Sequence, residues 1–337
     1  MQSVLSSGTE LRGRYRIEHL VGQGGMGAVY RASDLRLPGR TCAVKEIHRP
    51  PGSALTEDQL RQERDQFKRE ARLLASLDHP NLPKVSDMFE TEGRDYLVMD
   101  FVAGLNLRDR LLRRPQEQRI RGLPEHLVLE WCGQLLDALD YLHSRTPSIL
   151  HRDIKPANII VTPEGLAKLV DFGLVQQVDD EDQQTLTVAQ GRGTLAYTPL
   201  EQLGGDVGLA DAKADIYSLG ATLYHLLSGR VPPTAQVRFL NPGSLPELRG
   251  PGRRVSRRTE NAVFKAMALH PDERIASAAE FRSHLALESS AGSQLSFTNT
   301  PPDTWGAALR AHRGALALTL LLLLAGLILS LLPGLQA

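Results

Sequence analysis

Cysteine is nearly absent from this chain. It holds two, Cys42 and Cys132, far apart and in no CxxC or His/Cys cluster. That excludes a disulfide framework and a zinc site of the usual spacings, and it fits a reducing compartment. Net charge is absent as well: Lys plus Arg and Asp plus Glu each total 39. No global charge therefore argues for a nucleic-acid partner or an acidic tail. Residues 1–15 contain no apolar core, so no signal peptide is expected. No internal repeat is visible, and 337 residues accommodate one large or two medium domains.

What is present is concentrated in two places. One is the stretch His151 to Gly173, HRDIKPANIIVTPEGLAKLVDFG. Asp153 can accept the proton of an attacking hydroxyl. Asn158 and Asp171 offer hard oxygen atoms of the kind Mg²⁺ takes when phosphates supply its other ligands. Lys155 can neutralise charge on a phosphoryl group in transfer. The apolar runs 159–161 and 167–170 read as short strands joined by the Pro163-Glu164-Gly165 turn, a hairpin that would hold Asn158 and Asp171 on one platform. The second place is 315–332, almost wholly Leu, Ala, Ile and Gly and without a charged side chain. At about 1.5 Å per residue it spans about 27 Å, close to a bilayer's hydrocarbon thickness.

Along the chain, a strand starting at Tyr15 leads into the glycine loop Val21-Gly22-Gln23-Gly24-Gly25-Met26-Gly27, and Ala28 to Ala32 continue as a strand. A strand after the glycines, where a dinucleotide fold has a helix, fits a hairpin folded over phosphates. Residues 41–45 form a strand ending in Lys45. Residues 55–77 read as a charged amphipathic helix with Phe67, Ala71, Leu74 and Leu77 on one face. On it Glu70 is the expected partner of Lys45, with Glu63 as the alternative. Strands 85–90 and 96–101 make a hairpin across Gly93. Arg108, Arg110, Arg113, Arg114, Arg119 and Arg121 lie in a segment expected to be a basic loop between helices. It is either a solvated surface or a site for acidic substrates or anionic lipid headgroups. Helices are expected over 125–144, from Asp215, over 261–269 and over 278–287. After Asp171 come an acidic cluster at 179–182, then Thr185, Thr187 and Thr194.

Taken together, the glycine loop, Ala43-Val44-Lys45, His151-Arg152-Asp153, Asn158, Asp171-Phe172-Gly173, Asp215 and Arg274 occur in an order that resembles serine/threonine protein kinases, most of all the bacterial, eukaryotic-type (Hanks-type) kinases. The resemblance covers about residues 15–287. It implies an α+β, two-lobed fold: a small, mainly antiparallel β lobe with one long helix (about 15–102), and a larger helical lobe (about 103–287). It implies ATP between the lobes, contacted by Val21, Gly22, Gly24, Gly27, Val29, Ala43, Lys45, Met99, Asp100, Val102 and Ile160. Asp100 and Val102 would be the hinge to adenine, and Met99 would control pocket depth. Asp153 would be the catalytic base, assisted by Lys155, Lys45 and Glu70, and Asn158 and Asp171 would hold Mg²⁺, or Mn²⁺ in its place. Lys155 after Asp153 implies serine or threonine as acceptor.

The same resemblance implies an activation segment in which phosphate on Thr185 or Thr187 pairs with Arg152, the acidic run being the alternative partner, and in which Thr194 docks substrate. Glu201 and Arg274 would form a structural ion pair, although Leu200 stands where the family pattern has proline and leaves the local path open. Expected partners are protein substrates, ATP and, through 315–332, a lipid bilayer. No nucleic acid is expected, and a dimer cannot be read from the chain. Residues 288–314 would be a flexible juxtamembrane linker and 333–337 a short tail. Arg310 and Arg313 flank the apolar run on one side only, so a single-pass cell-membrane protein with its kinase domain in the cytoplasm is expected. Two other readings belong beside this one: a membrane-tethered pseudokinase scaffold, and a small-molecule kinase of the same fold.

Overall fold

Alternation of side chains in three neighbouring strands sets up both the small lobe's core and the wall of its cleft. A computed structural model of the chain describes residues 4–24, 27–47, 65, 67–69, 71–171, 195–203, 211–250 and 255–287, all within one compact unit, Met1–Ser290. Its larger sheet comprises β1 (Glu10–Leu11), β2 (Tyr15–Gly24), β3 (Gly27–Asp34), β4 (Thr41–Ile47), β5 (Val85–Thr91) and β6 (Arg94–Asp100), antiparallel in the order β1-β2-β3-β4-β6-β5. The register places Tyr30 opposite Val44 and Val44 opposite Val98. These residues, with Cys42 and Tyr96, form the buried outer face, onto which Tyr15 and Phe89 pack. Phe89 stacks on Tyr96 at 5.2 Å between ring centroids and on Tyr15 at 5.7 Å. The phenol groups that this burial would strand are bonded: the Tyr30 hydroxyl donates to Glu46 at 3.0 Å and that of Tyr15 to Asp87 at 2.7 Å. The same register pairs Val29 with Lys45, Lys45 with Leu97 and Ala43 with Met99, so all five point to the opposite face.

The predicted strands are all found: β3 and β4 run one or two residues beyond their expected limits, β5 one, and β6 is shifted to start at Arg94 and end at Asp100. The 159–161 strand matches, and the strand expected over 167–170 ends one residue early at Leu169. The helix expected over 55–77, α1, is described at 65, 67–69 and 71–77 and is helical only as far as 75, two residues short of its expected end. Ala71, Leu74 and Leu77 are buried as expected, whereas Phe67, expected on the same face, is half-buried.

The helical lobe contains, among the described residues, α2 (Leu107–Leu112), α3 (Gln116–Arg119), α4 (Glu125–His143), α5 (Ala212–Ser228), α6 (Ala235–Leu240), α7 (Arg257–Ala266) and α8 (Ala278–Leu285). A second sheet runs in the order β7 (Leu105–Asn106), β8 (Ile159–Val161), β9 (Ala167–Leu169). Helix α5 is buried on every side from Ala214 onward, which makes it the central post of the lobe. It starts earlier than Asp215 because the Asp211 side chain caps it, accepting the Lys213 N–H at 2.8 Å. Helix α7 likewise starts at Arg257 instead of 261, since Ser256 accepts the Thr259 N–H at 3.2 Å.

The arginine-rich segment is not the simple loop expected. Asn106 caps α2 through the Asp109 N–H at 2.8 Å, and Leu107 and Leu111 bury its inner face. The segment then locks onto the end of α5. Gly229 closes that helix at φ +69°, where a Cβ would lie 1.8 Å from the Arg119 carbonyl oxygen. Gly122 answers from the other side: a Cβ there would lie 2.0 Å from the Leu227 carbonyl oxygen.

Candidate active site

The site is assembled on the loop between α4 and β8, and one buried acid shapes that loop. Asp215, in the first turn of α5, is fully buried. Its carboxylate accepts the backbone N–H of His151 at 2.9 Å and of Arg152 at 2.8 Å, and lies 2.9 Å from His143 Nε2. Burial on its own would raise this carboxyl, but the hydrogen bond to His143 and the neighbouring His151 hold it below the ordinary carboxylate value. Arg152 is held at φ +64°, a conformation that L-residues adopt at a cost of about 1–3 kcal/mol and keep only where the surroundings enforce it. Thr222, two turns along α5, donates to the Ile154 carbonyl at 3.4 Å. The loop is thus bolted to the central helix at three successive points.

Asp153 sits above that anchor. Its Oδ2 accepts from Lys155 Nζ at 2.7 Å and from the Asn158 amide nitrogen at 2.8 Å. The same amide nitrogen donates to the Asp153 carbonyl at 2.9 Å. A backbone carbonyl can only accept, so the Asn158 nitrogen must face it, and the amide oxygen points the other way. Asp171 follows β9 and is tied back to Asn158, whose carbonyl accepts the Val170 N–H at 2.8 Å. Asp171 itself has φ +65°. The Lys45 ammonium donates to its Oδ1. Burial would raise the Asp171 carboxyl, but the Lys45 ammonium more than offsets this and, with Lys155, holds it below the carboxylate range.

Among the described residues, no three His, Cys, Asp or Glu side chains converge on a metal site. Among the described residues of this site, Asn158 and Asp171 are the two that would face a divalent ion held at the phosphates. That donor set suits Mg²⁺, which keeps waters and takes most remaining ligands from phosphates.

The inner face of the small lobe roofs this centre. Lys45, Leu74, Pro83, Val85, Leu97, Met99 and Asp171 line one small cavity, which places Met99 in the same pocket as Lys45 and Asp171. Val29 and Ala43 share the sheet face of Lys45. Asp100 ends β6 with its N–H donated to the Lys84 carbonyl at 3.0 Å, and Val102 lies beyond, outside any strand. The chain then passes Gly104, φ +156°, where a Cβ would meet the Val161 carbonyl oxygen at 2.3 Å and the Ile160 side chain at 3.0 Å. That close approach sets Ile160 beneath the connection between the lobes. Val21, Gly22, Gly24 and Gly27 lie in the β2–β3 hairpin, with Gly24 paired to Gly27. A Cβ on Gly22 or Gly24 would meet nothing within 4 Å, which leaves the backbone open to a ligand.

The predicted pair Glu201–Arg274 is present and bidentate, NH1 to Oε1 at 2.7 Å and NH2 to Oε2 at 3.3 Å. Leu200 does not disturb it. The residue opens a 3₁₀ turn, Leu200–Gln202, and packs half-buried against the core. The first position of such a turn needs no N–H bond, so the proline of the family pattern is dispensable there. Glu63, Glu70, Gly25, Phe172, Gly173, Thr185, Thr187 and Thr194 lie outside the described residues, as do 288–337, with the expected linker, membrane run and tail.

Other supporting groups were not anticipated. Asn81 donates to the Ala167 carbonyl at 2.7 Å, and its own carbonyl accepts the Leu169 N–H at 2.8 Å. Gln134 on α4 accepts the Ala167 N–H at 2.8 Å. These two residues brace β9, and through it Asp171.

The model of the protein kinase domain family matches residues 15–241. The probable serine/threonine-protein kinase PknB of Bifidobacterium longum is 34% identical over 296 residues, covering 81% of this chain and 39% of that protein. Serine/threonine-protein kinase PknB of Mycobacterium tuberculosis is 32% identical over 300 residues, covering 83% of this chain and 44% of its own. This chain thus spans about two fifths of the length of these curated relatives. Among solved structures, the apo form of PpkA-294 superposes with a TM-score of 0.68 at 29% identity, covering 84% of this chain and all of that one. A double mutant of the PknI kinase domain of Mycobacterium tuberculosis gives a TM-score of 0.63 at 28% identity, covering 84% of this chain and 98% of that one.

Proposed function

The chain belongs to the protein kinase family, and from that premise we propose that it transfers the γ-phosphoryl group of ATP to serine or threonine hydroxyls of proteins. The observation that carries this is the cluster in which Asp153, Lys155 and Asn158 share hydrogen bonds, with Lys45 and Asp171 paired beside it. Asp153 accepts the proton of the attacking hydroxyl. Lys155, 2.7 Å from that carboxylate, reaches the same point and offsets the negative charge on the moving phosphoryl group. Lys45 orients the α- and β-phosphates from the roof, Gly22 to Gly27 fold over them, and Glu70 is the proposed partner of Lys45. Asn158 and Asp171 would hold Mg²⁺, which when bound supplies charge neutralisation at the phosphates. The backbone of Asp100 and Val102 meets adenine, with Ile160 below and Met99 behind. Serine/threonine kinase names among the relatives support the acceptor class.

Regulation and place belong to the same reading. Phosphate on Thr185 or Thr187 would pair with Arg152 and order the segment ahead of Glu201. Residues 315–332 would cross the cell membrane once, with the kinase domain on the cytoplasmic side, where ATP is.

Incubation with ATP and Mg²⁺ followed by phosphopeptide mass spectrometry tests the chemistry. The native chain should phosphorylate serine or threonine on itself and on a protein substrate. Asp153→Asn should lose turnover by about 10³-fold or more while nucleotide binding stays near native, because that side chain faces the acceptor and not the nucleotide. Native turnover in Asp153→Asn would overturn the assignment.

A further inference from the structure

The helical lobe carries one surface that phosphoryl transfer does not use. Between residues 108 and 121 six arginines face only two acids, Asp109 and Glu117. Arg108 and Leu112 lie one helical turn apart on an exposed stripe of α2, next to buried Leu107 and Leu111. Arg108 is 61% exposed at its side chain and 3.7 Å from Asp109. Arg110 lies over the Trp131 ring at 5.4 Å and Arg114 donates to Gln118 at 3.3 Å, which stiffens the segment. Arg113 and Arg121 are exposed and, among the described residues, form no ion pair. The close contact of Gly229 with Arg119 sets exposed Arg230 and Val231 beside the same segment.

Apolar side chains are interspersed with these cations: Leu112 is 47% exposed, Ile120 54% and Val231 54%. A basic face kept only for solubility has no use for three exposed aliphatic groups, whereas arginines with short apolar side chains between them match the boundary of an anionic bilayer. There the guanidinium groups meet lipid phosphates and the aliphatic groups enter the headgroup–acyl boundary.

We infer that the surface formed by Arg108, Leu112, Arg113, Ile120, Arg121 and Val231 docks the helical lobe flat on an anionic lipid membrane. The binding chemistry belongs to this surface alone. The proposed anchor adds proximity, since a linker of residues 288–314 would keep the lobe within about 30 Å of the bilayer and raise the local lipid concentration. Each exposed arginine near an anionic surface contributes roughly fivefold, so neutralising three shifts the docked-to-undocked ratio on the order of a hundredfold.

The test uses the full chain with an environment-sensitive dye on Gln116→Cys, an exposed position in the patch, both native cysteines being buried. The chain is reconstituted with vesicles carrying a headgroup-level nitroxide quencher. In phosphatidylglycerol vesicles the dye should be quenched strongly, and in phosphatidylcholine vesicles weakly. High salt, or the combination Arg108→Gln, Arg113→Gln and Arg121→Gln, should abolish the difference while kinase activity on a soluble peptide stays native. Equal quenching in both lipids, or quenching unchanged in the triple variant, would overturn the docking surface. So would protection of the dye by polyglutamate without any quenching by anionic vesicles, which would make this a surface for acidic proteins. Quenching by phosphatidylglycerol in a chain that phosphatidylcholine vesicles fail to retain would support docking and remove the anchor instead.

Discussion

Asp215 and Arg152 are joined by a 2.8 Å hydrogen bond from the Arg152 N–H to the buried carboxylate, and Arg152 sits at φ +64°. The strained residue directly precedes the proposed base. Removing the acceptor should therefore release both the strain and the position of Asp153. For Asp215→Ala the expected loss is about 3–5 kcal/mol of stability, because the buried His151 N–H, the part-buried Arg152 N–H and His143 lose their partner. Turnover should fall by about 10²-fold or more through misplacement of Asp153. Thermal denaturation and single-turnover phosphoryl transfer read the two effects, and a stable variant with native turnover would contradict the coupling.

Arg274 is fully buried and spends its guanidinium on Glu201 and on the carbonyls of Ala268, Lys213 and Leu269. Glu201→Ala would leave that charge buried with only neutral acceptors, at an expected cost of about 3–5 kcal/mol. Arg274→Lys should cost nearly as much, since an ammonium cannot reproduce the fork. The double replacement Glu201→Leu, Arg274→Met should be milder than the sum of its single changes. Denaturant titrations of the four proteins would decide it, and strict additivity would count against a coupled buried pair.

These two residues also show what could and could not be read in advance. Asp153, Asn158 and Asp171 were legible because they lie within one short stretch, Asn158 and Asp171 at the two ends of the β8–β9 hairpin and Asp153 five residues before Asn158, in the order of the family pattern. Glu201 and Arg274, 73 positions apart, were matched only through the family resemblance. Asn81 and Gln134 carry no local signal. Each matters because the fold brings it against β9, and a polar residue beside an apolar run reads the same whether it faces a strand or water. Helix α2 was hidden by its arginines, since two buried leucines four apart are too short a stripe for periodicity to separate from a loop. The sheet was easier: the short apolar run Cys42-Ala43-Val44 ending in Lys45 reads as a strand, and in the structure cross-strand register fixes the neighbours of Lys45.

His225 gives the lobe a pH response. Its ring is buried and its Nδ1 lies 2.7 Å from the Tyr197 hydroxyl. Burial raises the Tyr197 phenol, so that hydroxyl keeps its proton and donates to a neutral imidazole. Burial also lowers His225 from 6.5 to about 4. The folded state thus binds fewer protons than the unfolded chain between these values. The stability this contributes is complete above about pH 6.5 and is lost as pH falls toward about 4, by up to about 3 kcal/mol. Chemical denaturation at about pH 7 and about pH 5 should show a loss of roughly 2 kcal/mol from this group. His225→Gln, which can still accept from Tyr197, should lose that much less. An identical pH dependence in the two proteins would assign the response elsewhere. The lowered Asp215 carboxyl acts in a separate window, its contribution disappearing only as pH falls below the ordinary carboxylate range.

The membrane reading rests on sequence chemistry and has its own test. Residues 315–332 carry no charge, and Thr319 and Ser330 are their only polar side chains. A wholly apolar helix is stable either inside a large core or inside lipid. The core of the described lobe is already closed around α5, whose faces are covered by α4, α7 and the 195–197 turn. On the proposed reading, a bilayer would be the solvent for an apolar run of that length. If the run spans a bilayer, Arg310 and Arg313 on its N-terminal side would keep the catalytic lobes on the side of cytoplasmic ATP. The full chain should stay with membranes through carbonate extraction and be released by detergent. A chain ending near Glu288 should be soluble and as active toward a peptide substrate as the full protein, since the compact unit closes by Ser290. Full-length protein recovered in the soluble fraction without detergent would remove the anchor, and an inactive soluble form would show that residues beyond 288 contribute to the kinase fold itself.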